Sequence, residues 1–248
     1  MSAVLVATSA YGAGMVRQLG QTHFIELIAA AGAAGIEIRR ELFTSDLPDL
    51  VRMRSTIAAH GLLAVYSVPI ELWQADGTLA HDALQEAMQE AEKLGAQYLK
   101  VSLGHYLSDA NLPALAAGLA QAPVPLLVEN DQTAHGGQID AMRRFLTASS
   151  AAGIPVGMTF DIGNWRWAGA DPFAAAQVLA PFVRYVHCKA VSSENGQLKA
   201  VPVSEQDADW RRLFGYFAPG VQRAIEFPVT GTDLVAATRH YVAMLEAA

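Results

Sequence analysis

Four apolar runs in the second half of the chain each end on a residue type that binds metal ions. Glu129 closes Leu126-Leu127-Val128, Asp161 closes Met158-Thr159-Phe160, His187 follows Tyr185-Val186, and Glu226 follows Ala224-Ile225. An ionised carboxylate at the end of an apolar strand carries a severe desolvation cost unless something partners it. Any one of the four alone reads as a strand-end polar group paired with an arginine or a helix N-terminus. Four in the same position on consecutive segments read as one site with a shared cation. Three carboxylates and an imidazole form a hard, mostly oxygen donor set. It suits one divalent ion, Mn²⁺, Mg²⁺ or Co²⁺, with Zn²⁺ also compatible. The single cysteine, Cys188, leaves no disulfide framework and no cysteine-rich alternative.

Other side chains could serve the same site. Lys189 lies two residues beyond His187, so a continuing strand points it to the same side, toward a substrate oxygen or phosphate. The competing reading is a lysine snorkelling to the rim. Lys100 and His105 fall around the end of an earlier strand and could reach the same region, although a lone loop histidine is more often simply solvated. Of Trp73, Trp165 and Trp167, Trp165 is nearest Asp161 and is the one expected to wall a bound substrate by stacking. Cys188 alternates with His187 and is expected to be buried and inert.

The elements that must position these residues follow from the alternation of short β-branched runs with Ala/Leu-rich stretches of helical period. Strands are expected at 4–8, 36–39, 63–68, 98–103, 125–129, 156–161, 183–189 and 223–226. Helices are expected to start near His23, Leu47, Leu79, Asn111, Gln138, Pro172, Ala208 and Thr232. Thr22, Asp46, Asp171 and Gly231 stand in front of four of them as capping residues. Gly35, Gly61, Gly95 and Gly153 fall where helices end and are expected to be left-handed caps. Eight βα units with no Gly-x-Gly-x-x-Gly fingerprint favour a closed single (β/α)8 barrel over an open doubly wound sheet. In such a barrel functional groups sit at the C-terminal ends of the strands, where all four proposed ligands fall. The polar stretch 192–205 is expected on the rim.

Composition agrees. A chain of 248 residues, 52% hydrophobic and 17% charged, has the size and apolar content of one barrel domain spanning 1–248. A formal charge of -7 argues against nucleic acid as a partner. No apolar run approaches the ~20 residues of a membrane span, and no basic segment leads into an apolar one at the start. No membrane partner is expected, and a cytoplasmic location follows.

The segments Gly35-Ile36-Glu37-Ile38, Leu127-Val128-Glu129-Asn130, Phe160-Asp161-Ile162-Gly163-Asn164-Trp165, Gly169-Ala170-Asp171-Pro172, Val186-His187-Cys188-Lys189 and Ile225-Glu226 resemble the xylose-isomerase-like barrel superfamily over essentially the whole chain. That superfamily holds sugar isomerases, ketose epimerases, dehydratases and endonuclease IV. The resemblance implies that Glu129 and Glu226 bind the metal and also flank the reacting carbon, one removing a proton and the other returning it. Asp161 and His187 would then be ligands only. Glu37 resembles a substrate-contacting glutamate of the family, with an ion pair to Arg39 or Arg40 as the competing role. Asn164 stands where many members have histidine, keeping a substrate contact without a titratable group. Ala190 replaces an acidic residue that often follows the His-x-Lys segment. Family members also imply a homodimer or homotetramer.

The leading expectation is therefore a metal-dependent isomerase or epimerase of a small sugar or ketose, working through an enediolate. The first alternative is a dehydratase of a ketocyclitol, ketosugar or dehydroshikimate, in which the same base acts and a hydroxyl leaves. A remote one is an endonuclease IV-like nuclease, but the Asp-x-His that its additional metals require occurs nowhere in the sequence.

Overall fold

The computed structural model describes residues 2–44 and 47–248. Its ten strands are β1 Val4–Ala7, β2 Gly35–Arg39, β3 Leu63–Trp73, β4 Tyr98–Gly104, β5 Leu126–Glu129, β6 Val156–Asp161, β7 Val183–Cys188, β8 Ala190–Glu194, β9 Gln197–Val201 and β10 Gln222–Ile225. Eight of them close into a parallel barrel in the order β1-β10-β7-β6-β5-β4-β3-β2, while β8 and β9 form a separate antiparallel hairpin. The expected (β/α)8 barrel is the observed fold.

Strand alternation explains where the site falls, because side chains two apart share a face. Leu5, Val65, Leu127, Tyr185 and Ala224 form one small apolar cluster, each 0–1% exposed. Each lies two residues before a neighbour on the same strand or just past its end: Ala7, Ser67, Glu129, His187 and Glu226. The apolar cluster is thus the layer of barrel interior directly below the polar one. A larger core packs the outer faces of the strands against the helices. His81–Leu94 is typical, burying Leu84, Ala87, Met88, Ala91 and Leu94 along one stripe and ending on left-handed Gly95.

Gly35 is not a helix cap. The left-handed residue after that helix is Gly32, at φ +84°. Gly35 is the first residue of β2 and belongs to the apolar layer, where a Cβ would lie 2.6 Å from Leu63 O and 2.9 Å from Leu5 Cγ. Gly35→Ala is therefore expected to cost about 1–3 kcal/mol through overpacking. Urea unfolding checks this, and an unchanged midpoint would refute the crowding. Gly61, Gly95 and Gly153 do have positive φ as expected.

Several boundaries differ from expectation for physical reasons. β3 does not stop before Pro69 but continues to Trp73 after a register shift between Ser67 and Glu71, so the proline sits at an irregularity where no ladder N–H is needed. β7 ends at Cys188, one residue short of Lys189. The polar stretch after it is the β8–β9 hairpin, turned by Asn195 and Gly196 at φ 51° and 77°. That is the backbone a two-residue Asn-Gly turn provides. The third expected helix begins at Leu50, capped by Asp49 Oδ1 accepting from Arg52 N at 2.9 Å; Asp46 lies outside the described residues. The last helix begins at Leu234 and is capped by Asp233, not Gly231, since only the aspartate has an acceptor to offer Ala236 N. Thr22 precedes its helix without a side-chain capping bond. Asp171 does cap, accepting from Phe173 N at 3.0 Å. Among the described residues no helix is long and apolar enough to cross a membrane.

Candidate metal centre

The C-terminal ends of β5, β6, β7 and β10 bring Glu129, Asp161, His187 and Glu226 together, with one potential ligand atom from each within 4.8 Å of the others. His187 is at the centre. Its Nδ1 lies 2.7 Å from Glu129 Oε1, 3.1 Å from Glu226 Oε2 and 3.7 Å from Asp161 Oδ2. Its other nitrogen, Nε2, is 2.7 Å from Glu37 Oε2. With Nε2–H donating to Glu37, Nδ1 is turned toward three carboxylates, carrying a proton in the metal-free protein and offering a lone pair where a metal ion replaces that proton. Nδ1, Glu129 Oε1 and Asp161 Oδ2 are all buried without an aligned hydrogen-bond partner. A buried pocket of acceptors with unmatched lone pairs fits a cation, and these four residues are the ones that would hold it.

Around this centre stand three further cations. Lys189 Nζ is 2.7 Å from both Asp161 Oδ2 and Glu226 Oε2. Lys100 Nζ donates to Glu129 Oε2 at 2.5 Å and lies 3.7 Å from Glu37 Oε1. Arg39 Nη1 donates to Glu226 Oε1 at 2.6 Å and to Glu37 Oε1 at 3.0 Å. Four carboxylates thus face three permanent cations. One negative charge remains, which an imidazolium at His187 or an added metal ion can offset.

The protonation equilibria follow from this competition. Burial opposes charge on His187, but Glu226, Glu37 and Glu129 outweigh it and raise the imidazole well above its ordinary range. Burial would raise Glu226, yet His187, Lys189 and Arg39 hold it well below the usual carboxylate range. Glu129 is lowered in the same way, with Lys100 and His187 overcoming burial. At Asp161 burial wins, and the carboxyl is raised in spite of Lys189 and His187.

A cavity of about 440 Å³ opens above these residues, within the range of small-ligand sites. Glu129 and Glu226 reach its wall, each with a side chain 11% exposed, whereas the side chains of Asp161 and His187 are fully buried. Lys100, Lys189, Asn164 and Arg39 also line it. Lys189 therefore points inward with His187 rather than out to the rim.

Two expected substrate contacts are placed elsewhere. Glu37 is fully buried beneath the cavity, bonded to His187, Arg39 and Lys100, so it orients the imidazole and does not line the wall. Of the two arginines weighed as its partner, Arg39 is the one that pairs; Arg40 turns outward to Glu90 at 2.8 Å. Trp165 is 0% exposed and packs on Phe160, with ring centroids 5.6 Å apart. It follows Asn164 in the single turn Asn164–Trp167, which carries its ring away from the mouth and into the core. Asn164 does face the cavity, but its amide is already engaged. It donates to Asn130 O at 2.8 Å and accepts from Gln132 at 3.2 Å, while its backbone N–H donates to Asp161 Oδ1. Asn130 in turn brackets the backbone of Asp161, at 3.0 and 2.9 Å. Sequence reasoning missed Asn130 and Arg39 as site residues. Arg39 had a visible signal, since it stands two residues after Glu37 on the same strand.

Cys188 lies on the opposite face from His187, and burial pushes its thiol up to about 12. In the native protein it should fail to react with a thiol reagent at pH 8, and one thiol per chain should appear on denaturation. Rapid labelling of the native protein would contradict its burial.

Residues 25–219 match the family model described as xylose isomerase-like TIM barrel. The chain belongs to this family. No curated protein matches it. Solved structures share its fold at low identity. D-psicose 3-epimerase with D-tagatose from Clostridium cellulolyticum is 13% identical over 100% of this chain and 99% of that one, with a TM-score of 0.67. The probable 3-DHS dehydratase of Bacillus anthracis is 14% identical over 99% of both chains, at 0.68. Endonuclease IV from Thermus thermophilus is 20% identical over 99% of this chain and 100% of that one, at 0.68. The fold therefore hosts epimerase, dehydratase and nuclease neighbours, and any choice among them must rest on the site.

Proposed function

We propose that this protein is a divalent-metal-dependent isomerase or epimerase of a small sugar or ketose, with Glu129 and Glu226 as its acid–base pair. The observation that carries this reading is the division of exposure within the four-residue centre. Two glutamates reach the cavity wall, whereas Asp161 and His187 are sealed behind them. Ligation alone would not call for that asymmetry; proton transfer to and from a substrate carbon does. A bound divalent ion would supply positive charge that polarises the substrate carbonyl and acidifies the neighbouring C–H.

The chain's own residues supply the rest. One glutamate, as carboxylate, takes the proton from carbon and leaves an enediolate. Isomerisation returns that proton from the same carboxyl to the adjacent carbon. Epimerisation needs the other glutamate to enter the turnover protonated and give its own proton to the opposite face, the pair being reset by exchange with water. Lys100 and Lys189, beside Glu129 and Glu226, hold substrate oxygens and stabilise the developing negative charge. Glu37 fixes the His187 ring.

One observation favours a dehydratase as the second reading. A protonated ammonium stands beside each glutamate, and burial does not keep Lys100 or Lys189 from being raised by the surrounding carboxylates. Either could give a proton to a departing hydroxyl. The test is incubation of metal-loaded protein in D₂O with a panel of ketoses, a ketocyclitol, dehydroshikimate and an abasic-site DNA duplex. Deuterium incorporated at carbon without dehydration supports the epimerase or isomerase. Loss of water moves the assignment to the lyase, strand cleavage moves it to the nuclease, and no exchange on any ketose removes the proposal.

A further inference from the structure

A second cluster of side chains of metal-ligand type adjoins the same cavity, outside the four-residue centre, with Glu71 on the cavity wall. Glu71 on β3, His105 just after β4 and His135 in the loop after β5 place one potential ligand atom each within 4.8 Å of one another. His135 Nε2 is 2.7 Å from Glu71 Oε1, and His105 Nε2 is 3.7 Å from Glu71 Oε2. The two imidazoles stack at 3.6 Å between centroids and 22° between planes, so both Nε2 atoms address the same carboxylate.

Local backbone builds this meeting. Gly104, at φ +72°, lets the end of β4 close on β3, and a Cβ there would collide with Trp73 O and the Glu71 side chain. His105 N then donates to Trp73 O at 2.8 Å. Across the gap, Asp131 and Thr133 wind the loop tightly, with Gly136 N donating to Thr133 Oγ1 and Gly137 N to Thr133 O. His135 is carried on that turn. None of the three side chains is needed for core packing, since each remains about one-third exposed.

We propose that Glu71, His105 and His135 form a second divalent metal site, distinct from Glu129, Asp161, His187 and Glu226. Two imidazoles and one carboxylate are a donor set for Zn²⁺, Co²⁺, Ni²⁺ or Fe²⁺ more than for Mg²⁺. Three protein ligands leave coordination positions open, and Glu71 shares the cavity wall with Glu129 and Glu226. An ion here faces the same ligand as the first centre and takes an oxygen at its far end. That last role rests on the proposed sugar chemistry; the metal site does not.

The test is metal stoichiometry on the full chain, stripped with a chelator, reloaded with Zn²⁺, desalted and measured by elemental analysis. Two ions per chain are expected, falling to one in His105→Ala/His135→Ala and to one in Asp161→Asn/Glu226→Gln. In a Zn²⁺ titration His135→Ala alone should weaken the second site by at least about 100-fold, exceeding the loss typical of an outer-sphere change. A parent protein that binds one ion and loses it in the double histidine variant still has the second site and overturns the first instead. A parent whose stoichiometry is untouched by that variant, or which binds no ion, overturns the proposal. A measurement on the unmodified chain guards against misfolding of the variants. Ni²⁺ should shift and broaden the imidazole NMR signals of His105 and His135, and unmoved signals would overturn the site.

Discussion

Replacing Glu226 with Gln is expected to lower the rate of carbon–proton exchange on a substrate ketose by about 10²–10⁴-fold, the usual worth of a positioned acid or base. The amide keeps the shape and one coordinating oxygen but accepts no proton. In the parent His187, Lys189 and Arg39 overcome burial and hold this carboxyl ionised through the neutral range, and the amide offers no group that titrates, so raising the pH should not rescue the variant. Glu129→Gln should fail alike, and the pair together should be little worse than either alone, because groups acting in one proton relay are not additive. Asp161→Asn should behave differently, its main loss appearing as weaker metal affinity. Undiminished deuterium exchange by metal-loaded Glu226→Gln would remove Glu226 from the mechanism.

Arg39→Met is expected to destabilise the metal-free protein by about 3 kcal/mol at neutral pH. That is the low end for breaking a buried ion pair, since Lys100 and Lys189 remain to share the stranded charge. The guanidinium contacts Glu37, Glu41 and Glu226, and its removal leaves the first and last of these short of a partner. For a chain of this size the loss corresponds to a Tm lower by about 8 °C. The pH dependence gives the sign. Glu37 and Glu226 have folded-state values depressed below the unfolded carboxylate range, in each case by cations that overcome burial. Their stabilisation is fully present above pH ~4.3 and is lost as pH falls through the depressed values. Without Arg39 those values rise, so the gap between variant and parent should be widest near neutrality and shrink in acid. Parallel melts at pH 7 and pH 3.5 check this. An equal gap at both would mean that Glu37 and Glu226 stay ionised in the folded variant down to pH 3.5, and that Arg39 is not what holds them so.

The four candidate ligands were legible because each closes an apolar run, and a charged group in that position announces an unusual environment. Their meeting follows once eight strands close a barrel. What surrounds them was harder to read. Glu37 and His187 are 150 residues apart in the chain, and nothing local marks one as the partner that orients the other. Glu71, His105 and His135 come from three different strand ends, with Glu71 hidden beyond Pro69, where strand propensity falls. Trp165 failed for the opposite reason. Nearness to Asp161 along the chain made it look like a cavity residue, but one helical turn sends it to the core. The Asn195-Gly196 turn was readable in principle, since Asn-Gly between two short alternating runs is a strong hairpin signal.

The apolar layer formed by Leu5, Val65, Leu127, Tyr185 and Ala224 turns the barrel into a blind tube. Among the described residues this layer closes the barrel below the glutamates, so a molecule seated in the mouth stoppers the open end of the barrel axis. On the proposed chemistry, a proton lifted from carbon would then remain on the protein for as long as the stopper stays in place. Isotope lost to bulk water would consequently report how fast the ligand leaves, rather than how fast the C–H bond breaks.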